Sequence, residues 1–376
     1  MVADVTPPLT PHAGVPPGVA TLADYERMAP RHLTAEVWSH IQEGAGAGRT
    51  LAENRAAFAR WGFLPRAMAD LRGGHTMLAL LGREHAAPLL LAPLAYQQLA
   101  HPDGELAVVR AATALGTGMI VSTLSSVTLE SIAEAARDAA RHLAKPASPL
   151  WFQLYLQRQR AHSLALIRRA EAAGYEAIVL TVDAAIKPSG LTLPAHVVAA
   201  NLAGMPAVRQ TAVPGGRILL GTPLADAAPR WEDLAWLRDA TRLPVIVKGL
   251  LRGDDATQAV DMGADALIVS NHGGRVLDGL PSAIDMLGSV RDAIGAEVPL
   301  LVDGGVRTGS DVVKALALGA TAVLIGRPQL HALTVAGTAG VAHVLHLLRT
   351  ETEAVMAQLG CRDLAAIGPD RLIRLG

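Results

Sequence analysis

The sequence predicts an α/β fold, a closed (β/α)8 TIM barrel with an N-terminal helical lead-in, and three observations carry that reading. Eight short apolar runs recur along the chain. Amphipathic segments separate them. Polar residues able to do chemistry collect where the runs end. With 376 residues, 51% of them hydrophobic, the chain can bury one large core.

The runs are 88–95 (PLLLAPLA), 118–123 (GMIVST), 150–156 (LWFQLYL), 177–183 (AIVLTVD), 244–248 (PVIVK), 266–270 (ALIVS), 299–303 (PLLVD) and 322–326 (AVLIG). Each is continuous rather than alternating, as a parallel strand buried on both faces requires. Helical periodicity falls between them, at 105–115, 129–143, 163–173, 232–241 and 309–318 among others, the last opening on the cap Ser310-Asp311. Eight strand–helix units close most simply into a barrel, with an open doubly wound sheet as the alternative. Residues 20–85 read as the lead-in, with helices at 22–28, 34–44 and 51–60, and would cover one barrel end. Residues 1–18 are Pro-rich and read as a flexible tail, leaving 19–376 as a single domain. The irregular stretch 186–230, rich in Pro, Gly and Ala, is a candidate lid.

Composition narrows the function. Net charge is −1 and no basic stripe occurs, which argues against nucleic acid as a partner. The single cysteine, Cys361, excludes a disulfide framework and a Cys-based metal site, and fits a reducing cytoplasm; no metal is expected. The N-terminus lacks the basic-then-apolar layout of a signal peptide, and no uninterrupted apolar run reaches the length of a membrane span.

Active-site groups of such a barrel belong at the carboxyl ends of its strands. Ser122, Gln153, Tyr155, Thr181, Asp183, Lys248, His272, Asp303, Arg307, Gly326 and Arg327 all fall there. The most informative stretch is SNHGGRVLD, 270–278. His272 can take a proton near neutral pH, and Arg275 can grip a carboxylate with two parallel hydrogen bonds. A base beside an anion clamp points to chemistry on the carbon next to a carboxylate. After the seventh run stands DGGVRTG, 303–309, and after the eighth Gly326-Arg327-Pro328. Those two loops are the usual phosphate site of this barrel, where glycine N–H groups and arginine charge cradle the anion. Lys248 is one of only four lysines, and it ends an apolar strand. An ammonium held there needs a partner, and could stabilise negative charge on a reduced cofactor.

Several blocks resemble one family, the FMN-dependent 2-hydroxy-acid oxidases and dehydrogenases, which include glycolate, lactate and mandelate oxidising enzymes. They are LAENRAAFARWGFLPR (51–66), LAPLAYQQLAHPDGE (91–105), WFQLY (151–155), LTVD (180–183), LPVIVKG (243–249), SNHGGRVLDG (270–279) and 303–328. The segment 122–133, STLSSVTLESIA, is most similar to the bacterial mandelate and hydroxymandelate oxidase branch. The resemblance implies that His272 is the base, Asp183 holds its imidazolium, Tyr155 bonds the substrate oxygen and Arg275 binds the substrate carboxylate. It implies that Lys248 stabilises reduced FMN. Ala92, Pro93, Ala95, Ser122, Gln153, Thr181 and Ser270 would line the isoalloxazine, Asp303 would hold the ribityl chain, and Gly305, Arg307, Gly326 and Arg327 the phosphate. It further implies a homotetramer or homo-octamer, and oxygen or another electron acceptor as second substrate.

Three positions depart from the family pattern. Gly190 stands where a second substrate arginine is usual, His40 where a substrate-binding tyrosine is common, and Leu124 where the glycolate branch has tryptophan. The first two leave open a hydroxy compound without a free carboxylate, such as an ester, an amide or a larger natural-product intermediate. A flavin-binding relative without this activity, and another phosphate-binding barrel such as an isomerase, are the remaining readings.

Overall fold

The computed structural model describes residues 7–184, 192–205, 220, 225 and 227–375. The lead-in comes first: α1 (Leu22–Met28), α2 (Ala35–Gln42) and α3 (Arg49–Ala56), the last continued by a 3-10 turn, Ala57–Arg60. Thr21 starts α1 with a reciprocal capping box to Asp24, and Thr34 caps α2 by accepting from the Val37 N–H. Three short strands follow: β1 (Trp61–Phe63), β2 (Leu78–Leu80) and β3 (Arg83–His85).

The barrel begins at β4 (Leu89–Leu91), followed by α4 (Gly104–Leu115) and β5 (Gly118–Ser122). It continues through α5 (Leu129–Leu143), β6 (Leu150–Leu154), α6 (Arg160–Ala173) and β7 (Ala177–Thr181). Next are α7 (Trp231–Ala240), β8 (Val245–Leu250), α8 (Gly253–Asp261), β9 (Ala266–Val269), α9 (Ala283–Ile294) and β10 (Leu300–Asp303). The chain closes with α10 (Gly309–Ala317), β11 (Ala322–Ile325), α11 (Arg327–Leu359) and β12 (Leu372–Arg374). Strands β4 to β11 pair in sequence order, all parallel, and β11 returns to β4, so the sheet has no free edge. All eight expected runs are strands of this closed barrel, which rules out the open sheet.

Inside the barrel, Leu90, Ile120, Trp151, Val179, Ile246, Ile268, Leu301 and Leu324 pack as one cluster. The alternate residues of the same strands face the helices in a second, larger cluster. This is why the runs read as continuous: both faces of each strand are buried. The expected cap of α10 shifts by two residues. Thr308 rather than Ser310-Asp311 is the N-cap, because its hydroxyl accepts from the Asp311 N–H while the Asp311 side chain reaches back.

The lead-in divides between the two ends of the barrel. The β2–β3 hairpin turns at Leu81 and Gly82, both with positive φ, as a tight two-residue turn demands. It sends Leu80 into the interior cluster and lays His85 against Gly118, the first residue of β5. That closes the N-terminal end. Helices α2 and α3 cross the opposite, C-terminal mouth. The segment before α1 is tied to the body, since the Leu9 N–H donates to Arg31 O and the His12 N–H to Val335 O.

Helix α11 is long and apolar enough to cross a membrane by length and composition, yet 67% of its most apolar window is buried within the fold. It also breaks at Ala336–Gly337, where backbone angles leave the helical region, and it packs against α4, α10 and α1. Its apolar character serves the core.

Candidate active site

Six buried or half-buried side chains meet at the ends of β6 to β10. The His272 ring places Nδ1 2.9 Å from Asp183 Oδ1 and Nε2 3.4 Å from the Tyr155 hydroxyl. Lys248 Nζ donates to Ser270 Oγ at 2.7 Å and lies 3.0 Å from Asp303 Oδ2 and 4.0 Å from Asp183 Oδ2. Ser270 Oγ in turn accepts from the His272 N–H at 3.0 Å. One hydroxyl thus sets both the ammonium and the backbone of the histidine.

The local backbone explains the ring's position. His272 has φ 57°, in the left-handed region that a non-glycine residue enters only at a cost. Gly273 and Gly274 follow it there, at 63° and 72°. Together they reverse the chain directly after β9 and turn the imidazole back over the barrel. A Cβ on Gly274 would fall 2.6 Å from Leu51 N, so that position also holds the loop against α3.

Electrostatics follow from burial and pairing. Burial alone would raise the Asp183 carboxyl, but Lys248 and His272 hold it below the ordinary carboxylate value. Burial would likewise discharge Lys248, but Asp303 and Asp183 keep its ammonium above its usual range. Burial pushes the Tyr155 phenol up to about 12, so it stays protonated at neutral pH. With Asp183 ionised, Nδ1–H is the favoured donor, and the Nε2 lone pair faces the mouth. The cluster can therefore remove a proton from a group near Tyr155 and stabilise the resulting imidazolium.

A second, basic group lies beside it. Arg307 is drawn down to about 10 by burial and by Arg55, and Arg327 to about 9 by burial, Arg275 and Arg307. Arginine charges crowded together in a buried place need an anion. Arg307 Nε is buried without a hydrogen-bond partner. So are Gln153 Nε2, Thr181 Oγ1 and Asp303 Oδ1 along the barrel mouth. A flavin mononucleotide presents a ring edge of alternating donors and acceptors, a chain of hydroxyls and a phosphate dianion, and these atoms fit such a group. Gly305 adds a cradle: it has φ 86°, and a Cβ there would lie 1.8 Å from Asn54 O. Gly326 is the residue just before α11, and Ala92 stands beside it, its backbone bonded to Ile325 and Gln329. Ser122 Oγ donates to Gln153 Oε1 at 3.2 Å, fixing which end of that amide faces the mouth. Pro93 and Ala95 follow β4 at the same end, half-buried.

Arg275 and His40 come together at the C-terminal end of α2. Arg275 donates to the carbonyls of His40, Ile41 and Glu43 and to the Glu43 carboxylate, while His40 Nδ1 is 3.5 Å from that carboxylate. Gly190, with the loop cations Lys187, Arg209 and Arg217, lies outside the described residues. Of the candidate lid, residues 192–205 are held by Asn201, which accepts from Leu129 N–H and donates to Ser125.

Sequence reasoning passed over the residues that lock this site together. Asn54 and Asn271 exchange two amide hydrogen bonds of 2.8 Å, joining α3 to the residue before His272. Asp278 accepts from the N–H groups of Ala47 and Thr50 at the start of α3. Glu105, fully buried, accepts from the Gln97 and Ser126 N–H groups and so ties the loops after β4 and β5. Asn54 and Glu105 stand in the blocks LAENR and HPDGE, but a polar letter in a motif does not show which backbone it will serve.

Residues 29–374 match the profile of the FMN-dependent dehydrogenase family. The chain is 52% identical to an L-lactate oxidase of Alicycliphilus denitrificans, covering 97% of this chain and 99% of that protein. It is 44% identical to a 4-hydroxymandelate oxidase of Amycolatopsis orientalis, over 92% and 96% of the two chains. A crystal structure of mandelate oxidase with benzoyl-formic acid superposes with a TM-score of 0.83 at 41% identity, covering 95% of this chain and 98% of that one.

Proposed function

Because this chain belongs to the FMN-dependent dehydrogenase family and is an FMN-dependent 2-hydroxy-acid oxidase, we propose that His272, Asp183, Tyr155, Lys248 and Arg275 carry its reaction, and that a small (S)-2-hydroxy acid such as L-lactate is its substrate. The observation that supports this most is the His272–Asp183 pair at 2.9 Å, with the Tyr155 hydroxyl 3.4 Å from the other ring nitrogen and Lys248 Nζ 4.0 Å from Asp183. The substrate size rests on the likeness to lactate oxidases over nearly the whole chain.

In this reading Arg275 binds the carboxylate and Tyr155 donates to the substrate oxygen. His272 Nε2 takes the proton, and Asp183 holds the imidazolium that forms. The bound FMN supplies the acceptor for the electron pair of the C2–H bond, chemistry no side chain offers. Gln153, Thr181, Ser122, Ser270 and the backbone of Ala92, Pro93 and Ala95 would hold its ring. Asp303 would hold its ribityl chain, and Gly305, Arg307, Gly326 and Arg327 its phosphate. Lys248 would lie against the reduced ring as a fixed positive charge. The supporting observation for the cofactor set is the buried, unpartnered donors and acceptors named above. Oxygen as the acceptor, a cytoplasmic location and a homotetramer or homo-octamer complete the proposal, resting on the family resemblance and on the lone cysteine.

The deciding measurement is anaerobic bleaching of the bound flavin near roughly 450 nm, the usual flavin band. L-lactate should bleach it at saturating rate, with D-lactate inert. Bleaching by methyl L-lactate or mandelamide while every free acid fails would overturn the carboxylate reading and restore an uncharged substrate, as Gly190 and His40 suggest by themselves.

A further inference from the structure

Arg275 is committed to partners before any substrate arrives. Its side chain is 15% exposed, and both terminal nitrogens are fully engaged. Nη1 donates to the carbonyls of Ile41 at 3.0 Å and Glu43 at 3.4 Å. Nη2 donates to His40 O at 2.8 Å and to Glu43 Oε1 at 3.1 Å. A guanidinium has four N–H bonds on those two nitrogens, so the fork is filled.

The four partners differ in kind. Three are main-chain carbonyls at the end of α2, and Arg327 also bonds two of them, Ile41 O and Glu43 O, each at 2.9 Å. They cannot leave without unwinding the helix end. The fourth is a carboxylate on a side chain that is 45% exposed. Rotation about its own χ angles frees it, and water or His40, 3.5 Å away, can receive it. Glu43 is also the acid that offsets the burial of the Arg275 charge.

We propose that Glu43 is a displaceable counter-ion that fills the place of the substrate carboxylate on Arg275 and sets the enzyme's affinity for acids. The proposal rests on the reading of Arg275 as the carboxylate clamp. A free acid exchanges one carboxylate for another, so the buried guanidinium is never left uncompensated. An ester or amide offers no such exchange and must bind beside a fork that Glu43 still holds. The device lowers affinity for every acid and rejects uncharged analogues. Glu43 is a positioning and specificity residue, since it acts through Arg275.

The test uses the full chain loaded with FMN and the variants Glu43→Gln and Arg275→Gln. L-lactate and methyl L-lactate are followed by anaerobic flavin reduction, and oxalate by its perturbation of the flavin spectrum. Glutamine keeps the shape of Glu43 and removes its charge. Losing the competing charge should tighten lactate and oxalate by about tenfold, the weight of one exposed charge-assisted bond. The limiting reduction rate should not rise, and the ester should bind as before. A merely structural role for Glu43 would loosen all three. Unchanged or weaker binding of lactate and oxalate in Glu43→Gln overturns the proposal, provided Arg275→Gln weakens both acids. If Arg275→Gln leaves both acids unaffected, the clamp assignment itself fails and the counter-ion idea falls with it.

Discussion

Lys248 is the residue on which the charge balance of the site turns. It is nearly inaccessible, yet charged, because Asp183, just past the adjacent strand β7, and Asp303, at the end of β10 two strands away on the other side, both face it. Burial works against the charge of Lys248 and of Asp183, and the attraction of opposite charges keeps both ionised. Lys248→Met removes the cation and leaves two buried carboxylates. The apoprotein should lose roughly 3–5 kcal/mol at neutral pH, the usual cost of breaking a buried pair from one side. The sign with pH follows from Asp183. Its folded pKa is held low in the parent, so the stabilisation is present above the ordinary carboxylate value and fades as pH falls through the lowered one. Chemical denaturation of parent and variant should therefore differ most near pH 7 and converge in acid. A constant difference at all pH values would mean that lost packing, not charge, is the cause.

At the scale of elements, the lead-in does more than cover a barrel end. Helix α3 faces two loops at once. Asn54 joins it to the loop after β9, and the same residue's carbonyl lies against Gly305 in the loop after β10. The base and the proposed phosphate cradle are thus set by one helix. Gly305→Ala tests this coupling. The added methyl would fall 1.8 Å from Asn54 O, and the φ of 86° is unfavourable for alanine in any case. The variant should lose bound FMN, read as the ratio of flavin to protein absorbance after purification. Its midpoint of thermal unfolding should fall as well, because α3 must move. Retention of a full complement of flavin would show that the loop yields elsewhere.

At the scale of the whole molecule, two buried histidines mark where the fold tolerates no added charge. His85 closes the N-terminal end of the barrel with neither ring nitrogen bonded, and burial takes its pKa down to about 4. His331 stands in the first turns of α11, brought down to about 3 by burial and by the arginines Arg307, Arg327 and Arg55. Both stay neutral in the folded protein, whereas the unfolded chain protonates near 6.5. Stability is therefore whole above that value, declines as pH falls, and stops declining below the folded pKa. For His85 the full loss is about 3–4 kcal/mol, from roughly 1.4 kcal/mol per unit over the drop from 6.5 to about 4. His85→Leu should flatten the fall in melting temperature between pH 6.5 and 4 without altering the active site. An unchanged slope would place the acid sensitivity elsewhere.

The sequence by itself determined the barrel, the order of its strands and the chemical class of the site. Continuous apolar runs demand burial on both faces, and eight of them in series with helices between leave little choice but closure. The runs were legible because burial is a property of composition, and their ends were legible because chemistry-bearing residues break the apolar pattern there. His272, Asp183, Tyr155 and Lys248 were found in this way, and the structure brings all four together. What only the tertiary structure decided are the contacts between segments far apart in the chain. Asn54 with Asn271, separated by 217 residues, is one. Glu43 on Arg275, separated by 232, is another. The division of the lead-in between the two ends of the barrel is a third. Local pattern reports what a residue does for its own helix or strand. A side chain that serves a distant backbone or a distant charge leaves no periodic trace, and its role exists only once the chain has closed around it.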